Sequence, residues 1–261
     1  MPQSMLHFKS YGTPRAGRPA LVFLHGLFGS STNWGGVARR LASDHQVFAV
    51  DLRNHGQSFH DPETGYPALA ADVRAFIDAE VPGGFAIVGH SMGGKVAMQL
   101  ALTDPTGLAG IAVVDMAPVS YTHGFEAVFG ALDAVDLARL RNRGDADRMM
   151  AAHLEVEGLR AFLLQNLVRV DGAWRWRLNV EGLRKAQAVL TGFEAPTAAW
   201  NGVAHFIYGT ASDYVRPEHR PVIETLFPGA VFCPVADAGH WVYADKPEGF
   251  ANCLGGFLNA M

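Results

Sequence analysis

Four short runs in the first half of the chain, LVFLHG (21–26), QVFAVDL (46–52), FAIVGHS (85–91) and LAGIAVVDM (108–116), are apolar at almost every position. A strand with one wet face alternates apolar and polar residues, whereas a run that is apolar throughout suits a strand covered on both faces. Between these runs lie stretches with apolar residues at helical spacing, near 31–43, 67–80 and 93–104. Asp104-Pro105 closes the last of them, because the residue before proline disfavours the helical region. The alternation predicts an α/β fold, a mostly parallel sheet flanked by helices and joined by right-handed crossovers.

The pattern stops after Met116. From 118 to 199 the sequence predicts no buried strand, only helical segments around 125–142, 145–156, 157–168 and 181–190, with a turn or short hairpin at VDGAWRWRL. Alternation resumes with a strand at VAHFIYG (203–209), a helix over 217–227, a strand at AVFCPVAD (230–237) and a closing helix from about 246. Residues 1–117 and 200–261 are thus read as the core, and 118–199 as a helical insertion. Open α/β sheets bind ligands at the carboxyl edge of their strands, where such an insertion would act as a lid.

A hydrophobic content of 49% over 261 residues is enough for one sizeable core, and a charged fraction of 18% argues against long disorder. The formal charge of −4 gives no electrostatic reason to expect nucleic acid as a partner. The start, MPQSMLHFKSYG, lacks the basic flank and apolar run of a secretory signal. No apolar stretch approaches the roughly 20 residues that span a bilayer, so a cytoplasmic protein is expected. Cys233 and Cys253 form neither a CxxC pair nor a metal cluster, and are expected as reduced core residues. No metal or cofactor is implied.

Gly89-His90-Ser91-Met92-Gly93 sits between a predicted strand and a predicted helix. In that context G-x-S-x-G reads as a nucleophile elbow: the glycines let the chain pass, and the serine oxygen projects above the sheet. The amide of Met92 would face the same space. His25-Gly26-Leu27-Phe28-Gly29 follows the earlier strand, where the second oxyanion donor of this chemistry arises, so the amide of Leu27 is expected to pair with that of Met92. Gly239-His240-Trp241 follows the last strand, in the order that places a general base after the nucleophile.

HGLFGS, VDLRNHGQS, VGHSMGGK, DMAPV and AGHW together resemble a compact esterase branch of the α/β-hydrolase fold, which includes bacterial YbfF-type esterases and mitochondrial abhydrolase-domain proteins. The resemblance is strongest over 21–120 and 203–245. It implies a serine hydrolase that cleaves carboxylic esters or thioesters of short to medium acyl chains through an acyl-enzyme on Ser91, with no cofactor.

The carboxylate partner of His240 is less direct. Asp51 heads the DLRNHGQS loop and suits hydrogen bonds to turn amides; Asp237, three residues before His240, suits a loop-stabilising role. Asp115 ends a buried run and needs a partner there. Asp213 follows the strand 203–209, but in GTASDYV it stands one place later than the usual spacing, which Ser212 fills. The resemblance implies Asp115 as the acid, with Ser212 assisting and Asp213 as its competitor.

Phe28, Trp241, Tyr121 and His123 are the expected pocket residues, and Phe125, Phe129, Phe162, Trp174, Trp176 and Leu178 mainly packing residues of the insertion. Arg139, Arg141, Arg143 and Arg148 read as a solvated face, the sharper alternative being a grip on an anionic group such as a coenzyme A thioester. Rival activities are a cofactor-free haloperoxidase or C–C bond hydrolase on the same residues, and, remotely, a ligand-binding protein without catalysis. A haloalkane dehalogenase or epoxide hydrolase would need aspartate where Ser91 stands.

Overall fold

The computed structural model describes residues 5–122 and 124–261. In chain order its strands are β1 (Phe8–Tyr11), β2 (Ala20–Leu24), β3 (Val47–Val50), β4 (Phe85–His90), β5 (Leu108–Val114), β6 (Leu167–Val170), β7 (Ala173–Trp176), β8 (Val203–Gly209) and β9 (Val231–Val235). The helices are α1 (Gly35–Leu41), α2 (Tyr66–Glu80), α3 (Met92–Thr103), α4 (Glu126–Asp133), α5 (Arg143–Ala151), α6 (Glu157–Leu164), α7 (Val180–Lys185), α8 (Gln187–Thr191), α9 (Arg220–Leu226), α10 (Val242–Asp245) and α11 (Pro247–Ala260).

Seven of these strands form one sheet in the order β1-β3-β2-β4-β5-β8-β9, parallel throughout except for β1, which runs antiparallel to β3. Successive residues of each strand feed opposite faces. Val22 and Leu24 pack with Val73, Phe76 and Val96 of α2 and α3, while Leu21 and Phe23 pack with Trp34, Phe250 and Phe257 on the other side. Both faces being covered, β2, β3 and β4 are buried from end to end, the physical origin of their unbroken apolar runs.

The sheet positions the site by its order. β3 lies on one side of β2 and β4 on the other, so the chain changes direction there and leaves a crevice at the carboxyl ends of β2 and β4. The HGLFG loop leaves β2 and the Ser91 turn leaves β4 at that crevice.

The alternation read from sequence is the observed one, and two differences stand out. β1 was not expected, because a half-exposed edge strand reading FKSY carries no apolar run. The helix expected over 125–142 is broken after α4, where Asp136 caps a separate turn by accepting the amide of Ala138. The VDGAWRWRL stretch, expected as a turn or short hairpin, is a hairpin, β6 with β7, turning at Asp171-Gly172 with both residues at positive φ.

The cysteine expectation is corrected: Cys233 in β9 and Cys253 in α11 form a disulfide. Spacing could not reveal that the last strand and last helix bring the two together. No helix among the described residues is long and apolar enough to cross a membrane.

Candidate active site

Ser91 joins β4 to α3 at φ 52°, a left-handed conformation that is costly for serine and is held by its surroundings. A Cβ on Gly89 would lie 2.2 Å from the carbonyl oxygen of Gly93, and one on Gly93 would lie 2.6 Å from that of Leu24. Both contacts are with backbone, so any side chain at either position would open the turn. Met92 is the first residue of α3, and the first amides of a helix have no acceptor within it.

His240 follows β9, with Nδ1 2.7 Å from Oδ2 of Asp115. Asp115 ends β5 at φ 51° and is fully buried. Its carboxylate also accepts the Gly209 amide at 3.1 Å and the Ser212 hydroxyl at 2.5 Å. Three donors thus hold one buried carboxylate, which answers the cost of burying it. Asp213, by contrast, is 88% exposed in its side chain and pairs with Arg216. The next residue, Tyr214, stacks on the His240 ring with centroids 4.0 Å apart. The GTASDYV loop therefore reaches the His240–Asp115 pair through Ser212 and Tyr214, and turns Asp213 to solvent.

Three histidines that the sequence did not single out hold this region. His25 Nε2 accepts the Leu52 amide at 3.0 Å and its Nδ1 donates to the Gly26 carbonyl at 2.8 Å. His55 Nε2 accepts the Phe28 amide at 3.2 Å and its Nδ1 donates to the Arg53 carbonyl at 2.9 Å. A ring that accepts at one nitrogen and donates at the other is neutral with a fixed tautomer. Burial enforces this: it lowers His25 below its ordinary value and takes His55 to about 3. These rings fasten the HGLFG loop to the loop after β3. Asn166, from the insertion, completes the hold by donating to the Phe28 carbonyl at 2.7 Å. His90 donates from Nε2 to the backbone carbonyl of His240 at 2.9 Å, and burial keeps it well below its usual pKa.

Asp51 accepts the Ser31 amide at 2.6 Å and the Gln57 amide at 3.0 Å, and meets His7 at 2.8 Å, so it ties loops together. Asp237 lies in an exposed turn at φ 55°, its own amide donating to Thr210.

Two cavities meet at Ser91. The larger, of about 390 Å³, is walled by Phe28, Phe125, Phe162, Trp241 and His240. The smaller, of about 20 Å³, runs from Ser91 and Met92 to Lys95, Met116 and Tyr121. Leu27 borders both. Of the expected pocket residues, Phe28 and Trp241 line the larger cavity and Tyr121 the smaller, its hydroxyl accepting the Ala117 amide and donating to the Tyr214 carbonyl. His123 lies outside the described residues. Phe125 and Phe162, expected mainly to pack, are wall residues, whereas Phe129 packs edge-on against Phe28 at 5.5 Å. Arg141 and Arg148 both engage Asp145, and Arg143 donates to the Leu167 carbonyl, so these arginines are spent on local structure. Lys95, the last residue of GHSMGGK, is among the cavity residues that sequence reasoning passed over.

The sequence matches the Alpha/beta hydrolase family over residues 21–252. It is 39% identical to a Mus musculus protein named sn-1-specific diacylglycerol lipase ABHD11, over 92% of this chain and 81% of that one. It is 38% identical to the Esterase YbfF of Escherichia coli (strain K12), over 92% of each. Among solved structures, one described as a marine microorganism esterase superposes with a TM-score of 0.93 at 30% identity, covering 98% of this chain and all of that one.

Proposed function

Because this chain belongs to the alpha/beta hydrolase family, we propose that it cleaves carboxylic esters or thioesters of short to medium acyl chains through an acyl-enzyme on Ser91. The observation that carries this reading is the 2.7 Å contact of the buried Asp115 with His240, a residue that lines the same cavity as Ser91. Esterases and a lipase among its relatives favour the ester class.

In this mechanism His240 takes the proton of the Ser91 hydroxyl as its oxygen attacks the substrate carbonyl. Asp115 holds the ring with Nδ1–H toward itself, leaving the other nitrogen to act as base, and stabilises the imidazolium that forms. The amides of Leu27 and Met92 receive the negative oxygen, each worth on the order of 3 kcal/mol in the barrier. His240 returns the proton to the departing alcohol or thiol, and a water molecule activated by the same ring releases the acid and regenerates Ser91. The segment 118–199 acts as the lid: its Phe125 and Phe162 help wall the larger cavity, an apolar surround suited to organic esters.

A panel of p-nitrophenyl esters of graded chain length, with acyl thioesters alongside, tests the proposal. Wild type should turn over its short and medium members, and Ser91→Ala should abolish that turnover. No hydrolysis of any member, or full activity in Ser91→Ala, would remove it.

A further inference from the structure

Lys95 stands one helical turn after Ser91 on the same face of α3, its amide donating to the Ser91 carbonyl at 3.2 Å. Only 1% of the residue is exposed. Nζ donates to the carbonyls of Thr191 and Gly192, each at 2.8 Å, at the end of α8 where carbonyls lack helical partners. The rings of Tyr66, Tyr121 and Phe193 surround it at 5.5, 4.9 and 6.0 Å. Among the described residues no carboxylate pairs with it, and burial alone takes it down to about 7. An ammonium has three N–H bonds, and the two carbonyls use two of them.

The third has a place to go. Lys95 lines the small chamber that also borders Ser91. About 20 Å³ accommodates a group little larger than one water. The leaving alcohol or thiol must depart while the acyl group stays on Ser91, so the larger cavity suits the leaving part and the small chamber the acyl part. Resting on the esterase reading above and narrowing its acyl range to the short end, we infer that the chamber from Ser91 to Lys95 is a subsite for a short acyl group ending in an oxygen, with Lys95 as the residue that selects it. A methyl at that end would leave the buried N–H facing a non-acceptor, whereas a hydroxyl oxygen would accept from it. A mere tie between α3 and α8 would need only the two bonds to Thr191 and Gly192, and would be indifferent to the acyl terminus.

The test uses the hydroxyacetyl and propionyl thioesters of N-acetylcysteamine, which have equal numbers of heavy atoms and differ only in a terminal oxygen or methyl. At pH 6, where Lys95 is mostly an ammonium, wild type should favour hydroxyacetyl in kcat/KM by about tenfold or more beyond the ratio of the two uncatalysed hydrolysis rates, the effect of one charge-assisted hydrogen bond. Lys95→Met should bring that ratio down to the uncatalysed one. The first comparison needs no variant: a wild-type ratio no greater than the uncatalysed one overturns the subsite even if Lys95→Met does not fold. A ratio preserved in folded Lys95→Met overturns the role of Lys95. Turnover of neither thioester, with p-nitrophenyl butyrate also untouched, removes the esterase reading and the subsite with it; turnover of butyrate with indifference to the oxygen removes the subsite alone.

Discussion

The Asp115 carboxylate and the His240 imidazole meet at 2.7 Å across 125 residues of chain, one from the end of β5 and the other from the loop after β9. The same carboxylate oxygen accepts the Ser212 hydroxyl, while Asp213 next door points to solvent. The shift of one residue in GTASDYV thus places Ser212 against the Asp115 carboxylate and Tyr214 against the His240 ring, and leaves Asp213 in solvent.

If Asp115 is the acid, Asp115→Asn should lower kcat by about 10³–10⁴, because the histidine loses its fixed tautomer. Ser212→Ala should cost about tenfold, since Gly209 and His240 still hold the carboxylate and one hydrogen bond to a charged group is lost. Asp213→Asn should stay within about twofold, its partner being an exposed arginine. Steady-state rates on one good ester rank the three variants. An order in which Asp213→Asn is the most damaging would displace Asp115.

Gly93→Ala should destabilise the protein toward the upper end of the overpacking range, about 3 kcal/mol. The added methyl would meet the backbone oxygens of Leu24 and His25 at 2.6 and 2.7 Å, and neither can rotate away as a side chain would. The strain falls between the elbow and the HGLFG loop, so activity should drop more steeply than stability alone explains. Denaturant unfolding alongside rates at a temperature where the variant remains folded separates the two. An unchanged unfolding midpoint would contradict the contact.

Much of this was legible in the chain, and what was not has identifiable causes. The central strands are buried on both faces and announce themselves as apolar runs, and the glycines around Ser91 mark a turn that admits no side chain. β1, polar and half exposed, carries no such mark. The roles of His25, His55 and His90 depend on which backbone groups reach their ring nitrogens, which only tertiary structure determines. Lys95 was hidden for a similar reason: in sequence it is one more helix residue, and its burial follows from how α8 returns over α3. The disulfide belongs here too, since two cysteines twenty residues apart say nothing of whether a strand and a helix bring them together.

The neutral histidines make the fold sensitive to acid. Burial lowers the folded pKa of His55 to about 3 from 6.5, and that of His25 in the same direction. Between those values the unfolded chain binds protons that the folded chain does not, so stability rises with pH across the window and falls as pH drops below 6.5. At pH 5 the His55 contribution alone should amount to a loss of about 2 kcal/mol relative to neutral pH. His55→Gln keeps an acceptor for the Phe28 amide but cannot titrate. Its stability at neutral pH should be somewhat lower than wild type, and its decline between pH 7 and pH 5 shallower by about that 2 kcal/mol. Urea unfolding of both proteins at the two pH values measures the difference. Equal declines would mean that His55 already carries its proton in the folded state, and that the HGLFG loop is held by something other than a neutral ring.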